Sequence, residues 1–278
     1  MLFTEITGYR ATGVRVANLA ASALPPAAGE DSRRWQEGMA WRSELCPQFE
    51  VVDPCADLTG EPADSTDGLV YYHPVGYRVR DYCTTLNVAF DLERVRRRAE
   101  AVASFAAAQE LWTGTATQAN PFTSPAGTGE VNAYLASADA TVITTTVTDP
   151  MEALGLLEER ARQAMGGAQC FLHVPVRIAT QLGAQIRRVG NLLYTQTDAV
   201  IVADPGYPGL GPGETNPTAP GVWCYATGPV SLRFAEIAVM TDPVSATINR
   251  STNRREVWAD RMFAATFDPC VHFACQIA

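Results

Sequence analysis

The sequence contains no lysine, so all 21 of its basic side chains are arginine. A phosphate-binding loop of the Walker type needs a lysine, and so do enzymes that form a Schiff base with their substrate or with pyridoxal phosphate. A lysine general base is ruled out for the same reason. These kinds of catalytic site are therefore excluded.

Basic residues are also fewer than acidic ones, which gives the chain a net charge of −9. Sequence-independent binding to nucleic acid draws its affinity from basic residues that displace counterions. The charge balance argues against a dedicated nucleic-acid clamp. We expect any contact with DNA to be loose.

Long apolar runs are missing as well. No stretch reaches the roughly eighteen apolar residues of a membrane span, and the first residues lack the basic flank and apolar core of a signal peptide. We expect no membrane contact and a protein that stays in the cytosol, where thiols remain reduced. The seven cysteines are then expected to be small buried side chains rather than a disulfide framework.

With 278 residues, 47% of them apolar, the chain can bury a substantial core. Residues 1–36 suit an extended arm, and residues 37–83 have the aromatic and turn-forming composition of short strands and long loops. Apolar residues spaced by three and four then predict a long helix. It is expected to begin with Asp91 as N-cap, to run to Trp112 and to be stopped by Gly114.

The second half mixes strands and helices. A strand is predicted from Ala140 to Val147, followed by a helix with Asp149 as N-cap and Pro150 at its first position. Apolar spacing predicts another helix from Pro175 to Val189. The remaining strands are predicted over "CFLHV", "AVIVAD", "GVWCYA", "VSLRFAEIAVM" and the C-terminal segment. The fold class is α+β.

The C-terminal segment holds Cys270, His272 and Cys275, a pattern that suggests a metal or nucleophile cluster. Side chains alternate along a strand, so Cys270 and His272 should share one face while Cys275 lies on the other. Ligands on opposite faces do not converge on one tetrahedral ion. We expect no metal site, and we interpret these side chains as packing.

Cys170 and His173 form the other candidate Cys/His pair. Three residues apart on a short strand, they should also point to opposite faces, which favours a buried thiol and a strand-end histidine over a nucleophile pair. The sequence has no G-x-S-x-G, H-E-x-x-H or paired C-x-x-C motif. No catalytic residue and no cofactor are expected.

Two further segments suggest phosphate binding. The loop "DPGYPGLGPG" follows a strand, but no helix start succeeds it and its prolines leave few N–H groups for an anion, so it is predicted to be a surface loop at the tip of a domain. The run Arg94, Arg96, Arg97 and Arg98 could grip a phosphate backbone. The carboxylates around it favour a solvated face or a contact between subunits.

The C-terminal third carries a resemblance to a known family. The segments "GYPG", "GVWCYATGPVSLR" and "NRREVWADRMFAATFDPCVHF" are similar to the last third of the major capsid proteins of tailed bacteriophages, whose Hong Kong 97-type fold is shared with encapsulin shells. Asn253, Asp260 with Arg261, and Pro269 match the family's pattern. Upstream, "WQEGMAWRSELC", "DPC" and "ELWTG" resemble capsid proteins of actinobacterial phages.

The resemblance implies an α+β subunit with four parts, in which the loop from Asp204 to Gly221 lies near a symmetry axis. The implied parts are an N-terminal arm (1–36), an extended β-loop reaching over a neighbouring subunit (37–83), a peripheral domain with a long spine helix and a long strand (84–165 and 243–268) and an axial domain (166–242 and 269–278).

It further implies that function resides in contacts between subunits. The chain would assemble as pentamers and hexamers into an icosahedral shell around phage double-stranded DNA, in the host cytoplasm, with portal and scaffolding proteins and, where one is used, a decoration protein. The residues expected at contacts between subunits are Trp35, Trp41, Arg42, Glu44, Arg94, Arg97, Arg98, Glu110, Tyr207, Asp260 and Arg261.

Two features depart from the family. Its covalent crosslink joins a lysine to an asparagine and cannot form without lysine, so we expect non-covalent packing between subunits. No long charged helical segment opens the chain, so we expect no fused scaffolding domain. Two alternatives remain: an encapsulin-type compartment, although the start does not resemble an amphipathic cargo-holding helix, and a cytosolic Cys/His hydrolase with a reactive Cys170 or Cys270.

Overall fold

The computed structural model describes residues 19–23, 34–42, 45–46, 69–83, 88–123, 129–215, 221–241, 248–249 and 254–278. The expected contact residue Glu44 and the family-pattern residue Asn253 lie outside these ranges. For Trp41 and Arg42 the backbone alone is described.

The longest helix matches its prediction closely. The helices are α1 (Leu19–Ser22), α2 (Val88–Thr113), α3 (Thr115–Ala119), α4 (Pro150–Ala164) and α5 (Val176–Leu182), with 3-10 turns at Arg34–Glu37 and Gly183–Gln185. Helix α2 begins three residues before Asp91, so the prediction of Asp91 as its N-cap is wrong. It ends where predicted, at Gly114, whose φ of 59° leaves the helical region.

Helix α4 has the start that the sequence predicts. The side chain of Asp149 accepts a hydrogen bond from the backbone N–H of Met151 at 2.9 Å, and Pro150 occupies the first helical position. Its apolar face, which includes Leu154 and Leu157, is buried. Capping and burial therefore agree along this helix.

The predicted helix from Pro175 to Val189 is wrong beyond its first two turns. Helix α5 ends at Leu182, because Gly183 adopts φ 54° and ψ −126°, a conformation that a helix does not contain. The apolar spacing that predicted the longer helix continues to Ile186, but the chain has by then turned into a hairpin. Periodicity alone does not reveal such a stop.

The strands form two main sheets and two small pairs. In chain order they are β1 (Met39–Arg42), β2 (Leu69–Tyr72), β3 (Val75–Cys83), β4 (Phe122–Thr123), β5 (Gly129–Glu130), β6 (Thr141–Val147), β7 (Phe171–Pro175), β8 (Arg187–Val189), β9 (Leu192–Tyr194), β10 (Val200–Asp204), β11 (Val222–Thr227), β12 (Ser231–Phe234), β13 (Ala238–Thr241), β14 (Ile248–Asn249), β15 (Arg254–Thr266) and β16 (His272–Ile277). Strands β1 and β2 form one small pair, and β4 and β5 the other.

The first main sheet has seven strands in the order β6-β16-β11-β7-β10-β9-β8. Two neighbouring pairs, β7 with β10 and β6 with β16, are parallel, and the other pairs are antiparallel. Helices α4 and α5 pack on one face around Leu157, Leu172 and Ile201. The C-terminal end of α2 packs on the other face around Trp112 and Tyr225. The middle strands are therefore buried on both faces.

The second main sheet has five strands and is organised by β15. Strand β3 runs antiparallel along one side of β15, while β12, β13 and β14 pair with the other side. Helix α2 covers one face, where Val95 and Ala99 pack on Val257 and Ala259. One long helix thus contacts both main sheets.

The predicted strand "VSLRFAEIAVM" is broken into β12 and β13. Opposite β15, Phe234 pairs with Phe263 and Ala238 pairs with Asp260, so three residues on one strand face two on the other. This extra residue is a β-bulge. The Nε–H of Arg261 donates to the carbonyl oxygen of Ala235 at 2.8 Å within the bulge.

Sheet membership differs from the expected domain boundaries. Strand β6 and helix α4 were expected in the peripheral domain, yet β6 pairs with the C-terminal β16 in the seven-stranded sheet. Strands β12 and β13 were expected in the axial domain, yet they pair with β15. The expected domains already combined distant segments, but strand pairing joins other segments than those expected.

Candidate functional site

The C-terminal Cys/His cluster divides between two faces. Nε2 of His272 lies 2.9 Å from the carbonyl oxygen of Leu135 on one side of the sheet, whereas Cys275 packs in the core under α4. The described residues contain no group of three or more His, Cys, Asp or Glu side chains placed to hold a metal ion. The expected separation of His272 from Cys275 is confirmed.

Cys270 does not have the packing role that the sequence suggested. It lies in the turn before β16 and forms a disulfide with Cys46, 224 positions away, with 6.2 Å between the two Cα atoms. The expectation that the cysteines are buried thiols is therefore wrong for this pair. The long separation in the sequence hides the pairing until the fold is known. Cys170, Cys224 and Cys275 are buried free thiols.

Cys170 and His173 do not form a nucleophile pair. Cys170 packs in the core beneath α4, whereas His173 points to the opposite face of β7, where it contacts Tyr207 and Thr227. Burial raises the pKa of the Cys170 thiol to about 11, so the thiolate that nucleophilic attack needs is scarce. His173 lies inside the strand and is fully buried, not at the strand end as expected.

The two hydrogen-bond partners of His173 determine which of its ring nitrogens carries the proton. Thr227 Oγ1 donates its proton to the carbonyl oxygen of Gly228 at 2.8 Å, so it accepts from Nε2–H of His173 at 2.9 Å. Nδ1 is then the acceptor for the hydroxyl of Tyr207, also at 2.9 Å. Burial, and to a smaller extent His272, lowers the pKa of His173 to about 3.

Tyr207, which was expected at a contact between subunits, packs in the core of its own chain. Its side chain is 4% exposed and its ring lies 4.9 Å from that of Trp112. The residues that follow are packed as well. Leu210 is buried, and its carbonyl oxygen accepts from Trp112 Nε1 at 3.1 Å and from the Tyr225 hydroxyl at 2.9 Å. The described part of this loop is not a surface tip.

Asp204 is a fully buried carboxylate that the sequence did not point to. Its Oδ2 accepts hydrogen bonds from the backbone N–H of Leu19 and the hydroxyl of Ser104, both at 3.0 Å, and its Oδ1 accepts from the N–H of Gly206 at 2.9 Å. It therefore joins α1, α2 and the end of β10. The only feature of the sequence that distinguishes Asp204 is its position, at the end of an apolar strand and directly before Pro and Gly.

Glu110, expected at a contact between subunits, has a partner within its own chain. Its carboxylate accepts from the backbone N–H groups of Ala116 and Thr117 at 2.8 and 3.0 Å, and from the Thr117 hydroxyl at 3.1 Å. These N–H groups lie in the first turn of α3, which has no side-chain cap of its own. Glu110 thus caps this short helix.

The four arginines of the run on α2 have two different environments. Arg94 and Arg98 each place a guanidinium nitrogen 2.8 Å from Asp81 Oδ2, which attaches the helix to β3. Arg96 and Arg97 are exposed and form no ion pair with the other residues that the structure describes. Of the three arginines of this run that were expected at contacts, Arg97 is the one that faces solvent without such a pair.

Asp260 and Arg261 are adjacent on β15 and point to opposite faces of the sheet. Asp260 receives two hydrogen bonds from Arg78, both at 2.6 Å, on the exposed face. Arg261 lies on the face toward α2, with its guanidinium 4.5 Å from the centre of the Phe234 ring. Arg261 therefore stabilises the bulge, while Asp260 remains at the surface.

Exposed apolar side chains mark two surfaces. On the five-stranded sheet, the face away from α2 presents Met240 and Met262, which are 45% and 39% exposed. Met240 pairs with Trp258 of β15, and the guanidinium of Arg78 lies 5.6 Å from the centre of the Trp258 ring. On α2, Val102 and Phe105 are 38% and 44% exposed. We name these surfaces the outer sheet face and the α2 face.

The two expected tryptophan contacts have different positions. Trp35 is buried in the 3-10 turn before β1. The backbone of Trp41 pairs with Val70, and that of Arg42 pairs with Leu69. Among the described residues, no helix is long and apolar enough to cross a membrane.

Comparison with known proteins identifies the fold. No family model matches the sequence, and no curated protein matches it. Solved structures with the same fold include a chain of Gordonia phage Cozz, which is 12% identical with a TM-score of 0.51 over 99% of this chain and 90% of that one. A chain of Mycobacterium phage Ogopogo is 13% identical with a TM-score of 0.50, over 91% and 89% of the two chains.

A third structure carries the description of a shell. The "capsid of native GTA particle" is 9% identical to this chain with a TM-score of 0.52, covering 94% of this chain and 89% of its own. At this level of identity the likeness establishes the fold. The α+β capsid fold expected from the sequence is confirmed.

Proposed function

From this capsid fold we propose that the chain is the shell-forming subunit of a phage particle. Such subunits would assemble as pentamers and hexamers into an icosahedral shell that encloses double-stranded DNA, in the cytoplasm of a host bacterium. The observation that carries the proposal is the fold shared with a GTA capsid over nearly the whole of both chains. Portal, scaffolding and decoration proteins would be its other partners.

Each part of the chain receives a role in this proposal. The five-stranded sheet with α2 is the peripheral domain, and the seven-stranded sheet with α4 and α5 is the axial domain. Residues 1–36 are the arm, and residues 37–83, of which β3 joins the five-stranded sheet, are the extended loop. The outer sheet face and the α2 face, where exposed apolar side chains adjoin charged ones, support contacts with neighbouring subunits.

Charge also favours the α2 face as a contact surface. Residues 43–68 contain seven carboxylates and no arginine. The carboxylates are Glu44, Glu50, Asp53, Asp57, Glu61, Asp64 and Asp67. Arg96 and Arg97 are exposed on α2 of every subunit. The acidic segment of one subunit would be attracted to Arg96 and Arg97, which lie on the same helix as the α2 face, on the next subunit.

The contacts between subunits would be non-covalent. Because the chain has no lysine, no lysine–asparagine isopeptide bond can join one subunit to another. Many moderate contacts per subunit would hold the shell together. The charge of −9 suits a wall that contacts DNA weakly and does not condense it.

The proposal predicts that the purified protein forms closed particles, alone or with a scaffolding protein from the same genome. Sedimentation velocity and negative-stain microscopy of the protein, produced under both conditions, measure this directly. Uniform shells are the expected result. A monomer of 29.9 kDa under both conditions would contradict the proposal.

Reversing the charge of Arg97 tests the α2 face. Arg97→Glu should lower the yield of particles by about tenfold or more, because it places a carboxylate opposite an acidic loop. The subunit should still fold, since Arg97 takes no part in the ion pairs to Asp81. Particle yield is measured by the sedimenting fraction at equal protein concentration.

Arg160→Glu provides the matched control. Arg160 is an exposed arginine on α4, so the change in net charge is identical. Its particle yield should stay close to that of the unchanged protein. An equal loss in both variants would indicate an effect of net charge and would remove the α2 face from the proposal.

A further inference from the structure

We propose that Cys46 and Cys270 form an oxidation site, which holds two thiols while the shell assembles and a disulfide after the particle leaves the cell. The inference rests on the proposed function, because a shell subunit is made in the reducing cytosol and then released with the particle. The chemical class of its reaction partner is a small-molecule disulfide, such as oxidised glutathione.

The fold aligns the two sulfurs through contacts that do not depend on the bond. Leu45, the neighbour of Cys46, packs against the core beneath α4. A β-carbon added to Gly228 would lie 2.5 Å from Leu45 Cδ1, so Leu45 fits closely against this glycine. Apolar packing therefore places Cys46 next to the turn that carries Cys270 before any oxidation occurs.

The position of the pair makes it accessible. Cys270 is exposed in the turn between β15 and β16, and Cys46 is half-buried. The described free thiols, Cys170, Cys224 and Cys275, are buried. Burial also raises the pKa of each of these three thiols. Among the cysteines whose side chains the structure describes, a dissolved disulfide can therefore reach this pair selectively.

The reaction balances with one molecule of a small disulfide. The thiolate of Cys270 attacks one sulfur of the small disulfide, which forms a mixed disulfide and releases one small thiol. The thiolate of Cys46 then attacks Sγ of Cys270 and releases the second small thiol. The two cysteines lose two electrons and two protons in total, and the small disulfide is reduced to two thiols. In the cytosol, an excess of small thiols drives the same exchange backwards.

The bond ties together parts of the chain that otherwise meet only by packing. It joins the segment between β1 and β2 to the turn that links the two main sheets, across a sequence separation of 224 residues. A crosslink over so long a loop restricts the unfolded chain strongly. The bond would therefore stabilise each subunit after assembly, while the subunits remain adjustable during assembly.

Peptide mapping tests the timing of the bond. Because the chain has no lysine, trypsin cuts after arginine alone and releases Cys46 in peptide 43–78 and Cys270 in peptide 262–278. Cells producing the protein are lysed in acid to stop thiol exchange and are then alkylated with N-ethylmaleimide in denaturant at neutral pH. A second sample is purified and treated with oxidised glutathione. We expect both thiols to be alkylated in the first sample and the two peptides to be crosslinked in the second.

Further cleavage assigns the pair. A glutamate-specific protease separates Cys46 from Cys55 by cutting after Glu50, and chymotrypsin separates Cys270 from Cys275 by cutting after Phe273. A 46–270 bond already present in the quenched cells would overturn the proposed timing. Absence of the 46–270 bond from the oxidised protein would overturn the proposal that these two cysteines form an oxidation site. Both results are independent of particle formation, so they are distinguishable from a failure of the proposed function.

Cys46→Ser, with Cys55→Ser as the matched control, tests the effect on stability. After oxidation, Cys46→Ser should melt roughly 4–10 °C below the unchanged protein, whereas Cys55→Ser should melt with it. With a reductant present, all three proteins should melt together, which shows that the serine itself is tolerated. Equal melting temperatures after oxidation would overturn the stabilising role of the bond.

Discussion

Replacing Trp112 with alanine is expected to lower the free energy of unfolding of the subunit by about 3–5 kcal/mol. Trp112 is fully buried between α2 and the seven-stranded sheet, where its ring meets Tyr225 edge-on at 5.0 Å. Loss of this side chain would leave a large cavity. It would also remove the hydrogen bond that Trp112 Nε1 donates to the carbonyl oxygen of Leu210. Single domains are commonly stable by about 5–15 kcal/mol, so much of the total would be lost.

Urea unfolding of the subunit, followed by circular dichroism, measures this change. Trp112→Phe should cost less, because it retains an aromatic ring and removes the Nε1–H bond to Leu210. Phe105→Ala is the control on the same helix, because Phe105 is 44% exposed whereas Trp112 is fully buried, and its effect should be less than half as large. A similar cost for Phe105→Ala and Trp112→Ala would contradict the position of Trp112 at the centre of the core.

Mild acid is expected to destabilise the subunit through His173. The folded protein holds this histidine neutral down to a pKa of about 3, whereas in the unfolded chain it binds a proton near its ordinary value of 6.5. The unfolded state therefore binds more protons between these values, so this contribution is complete above pH 6.5 and declines as the pH falls. Between pH 8 and pH 5 the loss should be about 2 kcal/mol.

The comparison with His173→Gln isolates this effect. Glutamine can hydrogen-bond to Tyr207 or Thr227 but does not titrate, so the variant should lose about 2 kcal/mol less than the unchanged protein between pH 8 and pH 5. The pKa of His272 is also lowered by burial, and its contribution has the same sign in both proteins. His73→Gln, at a half-buried histidine stacked on Phe122, serves as the control. The same pH dependence in all three proteins would contradict the role of His173.

The sequence correctly predicted the features of the fold that depend on a few neighbouring residues. Helix α4 begins where Asp149 and Pro150 predict it, and α2 ends at Gly114, because caps and stops act within a few residues. The alternation of side chains along β16 correctly placed His272 and Cys275 on opposite faces. These features require no knowledge of the rest of the fold.

Features set by distant parts of the chain were missed. The disulfide joins residues 224 positions apart, and the pairing of β6 with β16 joins segments separated by more than a hundred residues. Tyr207 was expected at the surface because it lies in a loop rich in proline and glycine, but the loop packs against Trp112. Residue type indicates flexibility of the backbone, and it does not indicate what the backbone packs against.

The carboxylate of Asp204 holds the chain at Leu19 by its backbone N–H, not by its side chain. Eighteen of the nineteen other amino acids could supply the same donor, and proline could not. This hydrogen bond does not depend on the side chain, but the Leu19 side chain is itself fully buried in the core with Trp112. A polar residue at position 19 would therefore keep the hydrogen bond to Asp204 and lose the apolar packing, whereas proline would lose the hydrogen bond.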